Sequence, residues 1–160
     1  MNVVKPALLV LAVSLVMATT PVLAGGDGCK KIHADLDEIQ SSQGCNPGLT
    51  SCFLGEVDGN HGLRGTTHFA ADSAVSTSPS TSPNFLIYSG PFEYRTGRGN
   101  ITVRETGVTT RGSEGVVTAY QQIVSGTGDF AGATGHFFVS GHKTGGTVET
   151  FVNGEICGAG

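Results

Sequence analysis

The sequence is poor in recognisable chemistry. Its 160 residues contain no tryptophan, no C-x-x-C pair, no G-x-S-x-G elbow, no H-E-x-x-H and no run of basic residues. The missing elbow and the missing H-E-x-x-H argue against an α/β-hydrolase and against a zincin. Without C-x-x-C, and without histidines paired at finger spacing, the cysteines do not read as a zinc site. A formal net charge of −4 with no basic run argues against nucleic acid and against an anionic membrane surface as partners. Helical periodicity is hard to find beyond the first 24 residues, and no repeat recurs at a fixed period. That leaves little room for βαβ units or a solenoid.

What is present begins with an address. "MNVVK" carries one lysine, "PALLVLAVSLVMA" is a short apolar run, and "TTPVLA" ends in Val22-x-Ala24. This is the order of charge, apolar stretch and small-residue cleavage site of an export signal. A membrane anchor is the competing reading, but the apolar run is short for a span and Thr19, Thr20 and Pro21 interrupt it. Residues 1–24 are therefore expected to be a signal peptide and 25–160 a single domain, secreted or periplasmic, with no membrane attachment after cleavage. The four cysteines, Cys29, Cys45, Cys52 and Cys157, suit two disulfides in such a compartment.

Glycine is abundant, at 25 residues, and short runs rich in valine, isoleucine, threonine and phenylalanine recur between glycine-rich breaks. This is the pattern of many strands joined by tight turns. "KKIHADLDEIQ" alternates, with Ile32, Ala34 and Leu36 on one face and His33, Asp35 and Asp37 on the other. "CFLGEV" and "LRGTTHFAA" flank "DGNHG", a hairpin turn in which Asp-Gly and Asn supply positive φ. "DSAVSTSPSTSP" reads as a loop. "NFLIYSGPFEYRT" is the most apolar strand region, with a bend or bulge expected at Ser89-Gly90-Pro91. "NITVRET", "GVVTAYQQIVS", "HFFVSGHK" and "TVETFVNGEIC" complete the series. About eight antiparallel strands predict an all-β fold, best closed as a β-barrel so that no edge is left bare; a sandwich is the alternative. In a closed meander the first strand meets the last, which places Cys29 beside Cys157 and leaves Cys45 and Cys52 to close the "CNPGLTSC" loop.

The stretch "SGTGDFAGATGHFFVSG" opens with Gly126-Thr-Gly128-Asp-Phe-Ala131, a loose dinucleotide fingerprint. A phosphate loop needs a helix directly after it, and here "HFFVSG" follows as a strand. The glycines read better as a barrel corner, with Phe130 plugging one end. The same segment resembles the Gly-Thr-Gly-x-Phe-x-Gly-Ala-x-Gly motif of the allene oxide cyclase and dirigent barrel superfamily, over about residues 84 to 157. The resemblance implies an eight-stranded barrel that forms homotrimers. It also implies cyclisation of an epoxide-derived fatty acid, or guidance of phenol radical coupling, without metal or organic cofactor.

Five side chains stand out as ligand-binding candidates in the lumen. Glu105 shares a face with Ile101 and Val103, where burial would raise its pKa; the alternative is a strand end open to solvent. Tyr88 and Tyr94 share a face with Leu86 and Phe92. Tyr120 and Gln122 lie with Val116 and Val124. Phenols in an apolar lumen orient a small apolar ligand; the alternative is a solid core, closed by Phe92, Phe130 and Phe138. The row His33, Asp35 and Asp37 reads as a solvated face rather than a metal site, and no cofactor is expected. The functional expectation is a binding or structural module, with a cofactor-independent isomerase, cyclase or dirigent-like guide as the alternative.

Overall fold

The computed structural model describes residues 28–49, 51–76 and 85–158. The expected signal peptide, residues 77–83 of the expected loop, and residue 84, the first of the strand region expected after it, lie outside these residues. Among them, no helix is long and apolar enough to cross a membrane.

The strands are β1 (Cys29–Gln40), β2 (Cys52–Gly59), β3 (Arg64–Ala70), β4 (Ser73–Ser76), β5 (Phe85–Thr96), β6 (Gly99–Thr110), β7 (Glu114–Gly126), β8 (Thr134–Thr144) and β9 (Thr147–Cys157). They form one antiparallel sheet in the order β3-β2-β1-β9-β8-β7-β6-β5-β4, and a β3–β5 pairing closes it into a barrel. β3 pairs with Phe92–Thr96 of β5, and β4 pairs with Leu86–Ser89 of the same strand. β3 and β4 therefore act as one barrel stave with a break at Ala71–Asp72. The closed ring has eight staves, and part of the expected serine-rich loop belongs to one of them.

The break falls opposite Ser89-Gly90-Pro91, where a bend in β5 itself was expected. β5 instead stays in continuous register with β6 from Phe85↔Thr110 to Thr96↔Gly99. The neighbouring stave is the one that breaks, with β3 ending and β4 beginning across from Gly90. A Cβ at Gly90 would lie 2.4 Å from the Ala70 carbonyl oxygen. A register shift between Thr102 and Val103 leaves Val124 as the extra residue of β7. The β2–β3 turn is made by His61 and Gly62, at φ 51° and 87°, rather than by Asp58 or Asn60. Asn60 ties this turn to β1 by accepting from His33 N–H and donating to the Lys31 carbonyl.

The two barrel ends differ. At the end where β1 begins and β9 finishes, "GTGDF" turns through a single 3-10 turn at Gly128–Phe130 before β8 begins. Phe130 is buried there and packs the end shut, with Ala133, Ile156 and Phe137 in the same core. Arg98 braces this end through Asp129, at 2.6 Å. No phosphate-binding helix follows the glycines, so the corner reading holds. At the opposite end, the β6–β7 and β8–β9 turns surround an open mouth.

The β1–β9 ladder runs from Cys29↔Cys157 to Ile39↔Thr147, and Cys29 and Cys157 are disulfide-bonded with Cα atoms 3.9 Å apart. The second expected bridge is not made: Cys45 and Cys52 are free thiols. Each sulfur is turned to a backbone carbonyl, Cys45 to Ser41 at 3.3 Å and Cys52 to Gln43 at 3.0 Å. Burial, then contact with Cys45, pushes the Cys52 thiol up to about 11. It stays protonated at neutral pH and is a poor nucleophile for closing the bridge.

Intact mass analysis after alkylation in denaturant is expected to find one disulfide and two labelled cysteines, Cys45 and Cys52. Replacing Cys29 and Cys157 by serine is expected to lower unfolding free energy by about 4–5 kcal/mol on the chain-entropy account of a long closed loop, measured by urea titration.

Candidate functional site

Inward positions follow from strand parity, because successive side chains point to opposite faces. On β1 the inward row is Ile32, Ala34, Leu36 and then Glu38. Three apolar residues thus place a carboxylate at the fourth step, where it is 8% exposed. On β6 the row is Ile101, Val103 and Glu105, the last 5% exposed. On β5 it includes Tyr88, Phe92 and Tyr94. On β7 it is Val117, Ala119, Gln121 and Ile123.

Three of the five expected site residues therefore meet in the lumen: Tyr88, Tyr94 and Glu105. Tyr120 and Gln122 do not, and that expectation is corrected. Both β7 faces carry apolar residues, and the bulkier set, Val116, Tyr120 and Val124, lies outside. The Tyr120 hydroxyl donates to Gln122 Oε1 at 2.6 Å, and the ring stacks beside His136 and Phe138 on the outer surface. Phe138 is likewise outside, 56% exposed, whereas Phe137 is fully buried. Glu38 and Gln121 are the site residues that sequence reasoning missed. For Glu38 a usable signal existed, since it continues the Ile32-Ala34-Leu36 alternation by one step.

The lumen is occupied in two ways. Toward the closed end it is filled by rings. Phe69, Phe92, Tyr94 and Phe137 form a chain of neighbours with centroid separations of 6.2, 4.7 and 5.8 Å, and Tyr88 packs edge-on against Phe69 at 5.5 Å. Toward the open end a cavity of about 440 Å³ remains, lined by Glu38, Glu105 and Tyr88, with Phe53, Phe69, Val117 and Val148 among its apolar walls. Arg111 and Lys143 also line it.

A hydrogen-bonded chain separates the two zones. The Tyr94 hydroxyl donates to Gln121 Oε1 at 2.6 Å, and Gln121 Nε2 donates to Glu105 Oε2 at 2.5 Å. The Tyr88 hydroxyl also bonds the Glu105 carboxylate. Its ring lies over Gly107, where a Cβ would stand 2.5 Å from the ring. Glu38 is less well provided. Its Oε1, and Thr67 Oγ1, are buried without a hydrogen-bond partner. The two side chains converge on Gly55, where a Cβ would lie 2.7 Å from the Glu38 Cγ and 2.8 Å from Thr67 Oγ1. A buried polar atom with no partner is uncommon, because it forfeits its hydration for nothing.

Electrostatics follow from this placement. Burial raises the Glu105 pKa to about 6, against the opposing hydrogen bonds from Gln121 and Tyr88. Burial, and then the charge on Glu105, raise Glu38 well above the ordinary carboxylate range. Tyr88 and Tyr94 are held protonated by burial first and by the two carboxylates next, so both serve as donors at neutral pH. On the outer face of β1, His33 Nδ1 is 2.8 Å from Asn153 Oδ1, while Asp35 and Asp37 face solvent. Among the described residues the one close grouping of metal-ligating types is Cys29, Glu155 and Cys157, whose sulfurs are joined to each other.

Comparison of the chain with family models, with curated proteins and with solved structures finds no match.

Glu105 makes stability depend on pH. Its folded pKa lies above the ordinary value of 4.5, so the folded state holds the proton more tightly. The penalty for ionising it is absent below about pH 4.5, accrues between about 4.5 and 6, and is complete above 6. Glu105→Gln is therefore expected to be about 2 kcal/mol more stable than the parent at pH 7.5, with the difference shrinking toward pH 4.5. Urea titrations of both proteins across that range check it. A second expectation concerns shape. Gly107→Val is expected to push the Tyr88 ring aside and to destabilise by about 1–3 kcal/mol through overpacking.

Proposed function

We propose that this protein is an exported β-barrel that binds a small molecule in its open end. The observation that carries this reading is Glu38, a carboxyl buried at the cavity wall with one oxygen unpartnered. Folding around such a group is unfavourable unless something else answers it. A ligand donor entering the cavity does so, and the Phe53, Phe69 and Val117 walls take its apolar body. The volume of about 440 Å³ lies within the usual range of small-molecule pockets, roughly 300–1,000 Å³. The expected location, secreted or periplasmic, agrees with the Cys29–Cys157 bridge.

A second reading has its own support. A carboxyl with a pKa of about 6, bonded to a phenol, is suited to general acid–base work near neutral pH. This is where the likeness to cofactor-independent cyclases and dirigent barrels enters. On this reading Glu105 exchanges a proton with the ligand while Tyr88 and Gln121 hold its carboxylate in place.

Titration with prodan, a neutral environment-sensitive fluorophore, tests the binding reading. A saturable one-to-one blue shift is expected in the parent, lost in Val117→Trp, whose indole would fill the cavity. A folded parent without saturable binding would overturn the reading. Native mass spectrometry of protein purified without detergent would identify a retained ligand. If that ligand is turned over with an inflection near pH 6 that Glu105→Gln removes, the enzymatic reading stands.

A further inference from the structure

The open half of the barrel holds charges of both signs that do not neutralise each other. Glu38 and Glu105 are its buried carboxyls. Lys143 lies on β8 in the parity of the inward residues Phe137, Val139 and Gly141, and it lines the same cavity as Arg111. The Lys143 ammonium donates to the Thr110 carbonyl, and Arg111 donates to Ser76 Oγ. Among the described residues, the ion pairs join Lys31 to Glu155, Arg64 to Asp58, Arg95 to Glu93, Arg98 to Asp129 and Arg104 to Asp72. None of them joins Lys143 or Arg111 to a lumen carboxylate.

Strand register sets the spacing. Lys143 pairs with Val148, and Val148 pairs with Glu38. The two backbones are therefore two strand spacings apart, about 10 Å. Thr67, with its unpartnered hydroxyl, sits on the far side of Glu38, across Gly55 in the same row. The row thus runs from an ammonium, over the short apolar Val148, to a carboxyl and an unanswered hydroxyl.

We propose that the cavity takes a zwitterion: a small molecule with a protonated amine at one end and a carboxylate at the other, joined by a short apolar segment. This rests on the reading of the cavity as a ligand site. The amine donates to the Glu38 carboxyl, which lines the cavity and has an unpartnered oxygen. The carboxylate meets Lys143, with Arg111 at the rim. Val148, Val117 and Phe69 cover the apolar segment. A simple amine would share the cavity with the Lys143 ammonium and be repelled by it. A simple carboxylate would meet Glu38 and Glu105. The zwitterion satisfies both ends of the row, and charge-assisted hydrogen bonds are the strong ones in a dry site.

The test compares 6-aminohexanoate, hexylamine, hexanoate and hexan-1-ol by calorimetry at pH 7.5 on the full mature chain. The expected result is that 6-aminohexanoate binds roughly tenfold or more tightly than each of the others, and that Glu38→Gln and Lys143→Met each weaken it by a similar factor. Lys143→Met is also expected to improve hexylamine relative to 6-aminohexanoate. It keeps the test available if the Glu38 variant does not fold. Prodan binding combined with equal or absent binding of the four probes overturns the zwitterion and leaves the cavity as a ligand site. Failure of prodan and all four probes overturns both.

Discussion

The pairing of β1 with β9, from Cys29↔Cys157 to Ile39↔Thr147, joins the two ends of the meander, and the rest of the molecule depends on that closure. An open sheet would leave β1 and β9 as bare edges and both faces wet. Once the ring is closed, every inward side chain of eight staves shares one narrow lumen. Ile32, Tyr94, Ile101, Phe137, Val152 and Ile156 lose almost all contact with water. The disulfide locks the first pair of this ladder and so limits the unfolded chain at the seam where the ring would open.

Closure also explains why one half is solid and the other hollow. Small barrels have just enough interior for side chains to fill. Here Phe92, Tyr94, Phe130 and Phe137 occupy the half where β1 begins and β9 ends. Nearer the mouth, the apolar walls Phe53, Phe69, Tyr88, Val117 and Val148 are interspersed with Glu38, Gly55, Thr67, Gly107, Gly141 and Lys143. Glycines and polar residues do not fill a barrel, so a cavity remains. The tyrosine–glutamine–glutamate chain stands at the boundary, with its hydroxyls and amide paired inward. The same low-polarity surroundings that stabilise the ring lift the carboxyl pKa values. Packing, charge state and ligand chemistry are consequences of one geometry.

The strand series apart from β4, the all-β class, the corner at "GTGDFAGATG" and the Cys29–Cys157 bridge were legible in the residues. Each depends on local chain chemistry or on which ends a meander brings together. Tyr88, Tyr94 and Glu105 were legible because their strands alternate cleanly. Tyr120, Gln122 and Phe138 were misread because β7 and "HFFV" carry large apolar side chains on both faces. Parity is then ambiguous by a single residue, and one residue inverts the face. The break between β3 and β4 was not legible, because the residues expected to bend, Ser89-Gly90-Pro91, lie on the strand that pairs with both.

The sequence by itself determined the local repertoire: where the chain extends, where it turns, and which residue types alternate along each strand. These follow from φ/ψ preferences and side-chain period, which act over a few residues. Only the tertiary structure decided which face is the lumen, that Cys45 and Cys52 lie in contact as free thiols, and that Glu38 ends buried with one oxygen unpartnered. Burial and pairing are relations between distant residues, and they exist only once the ring has closed.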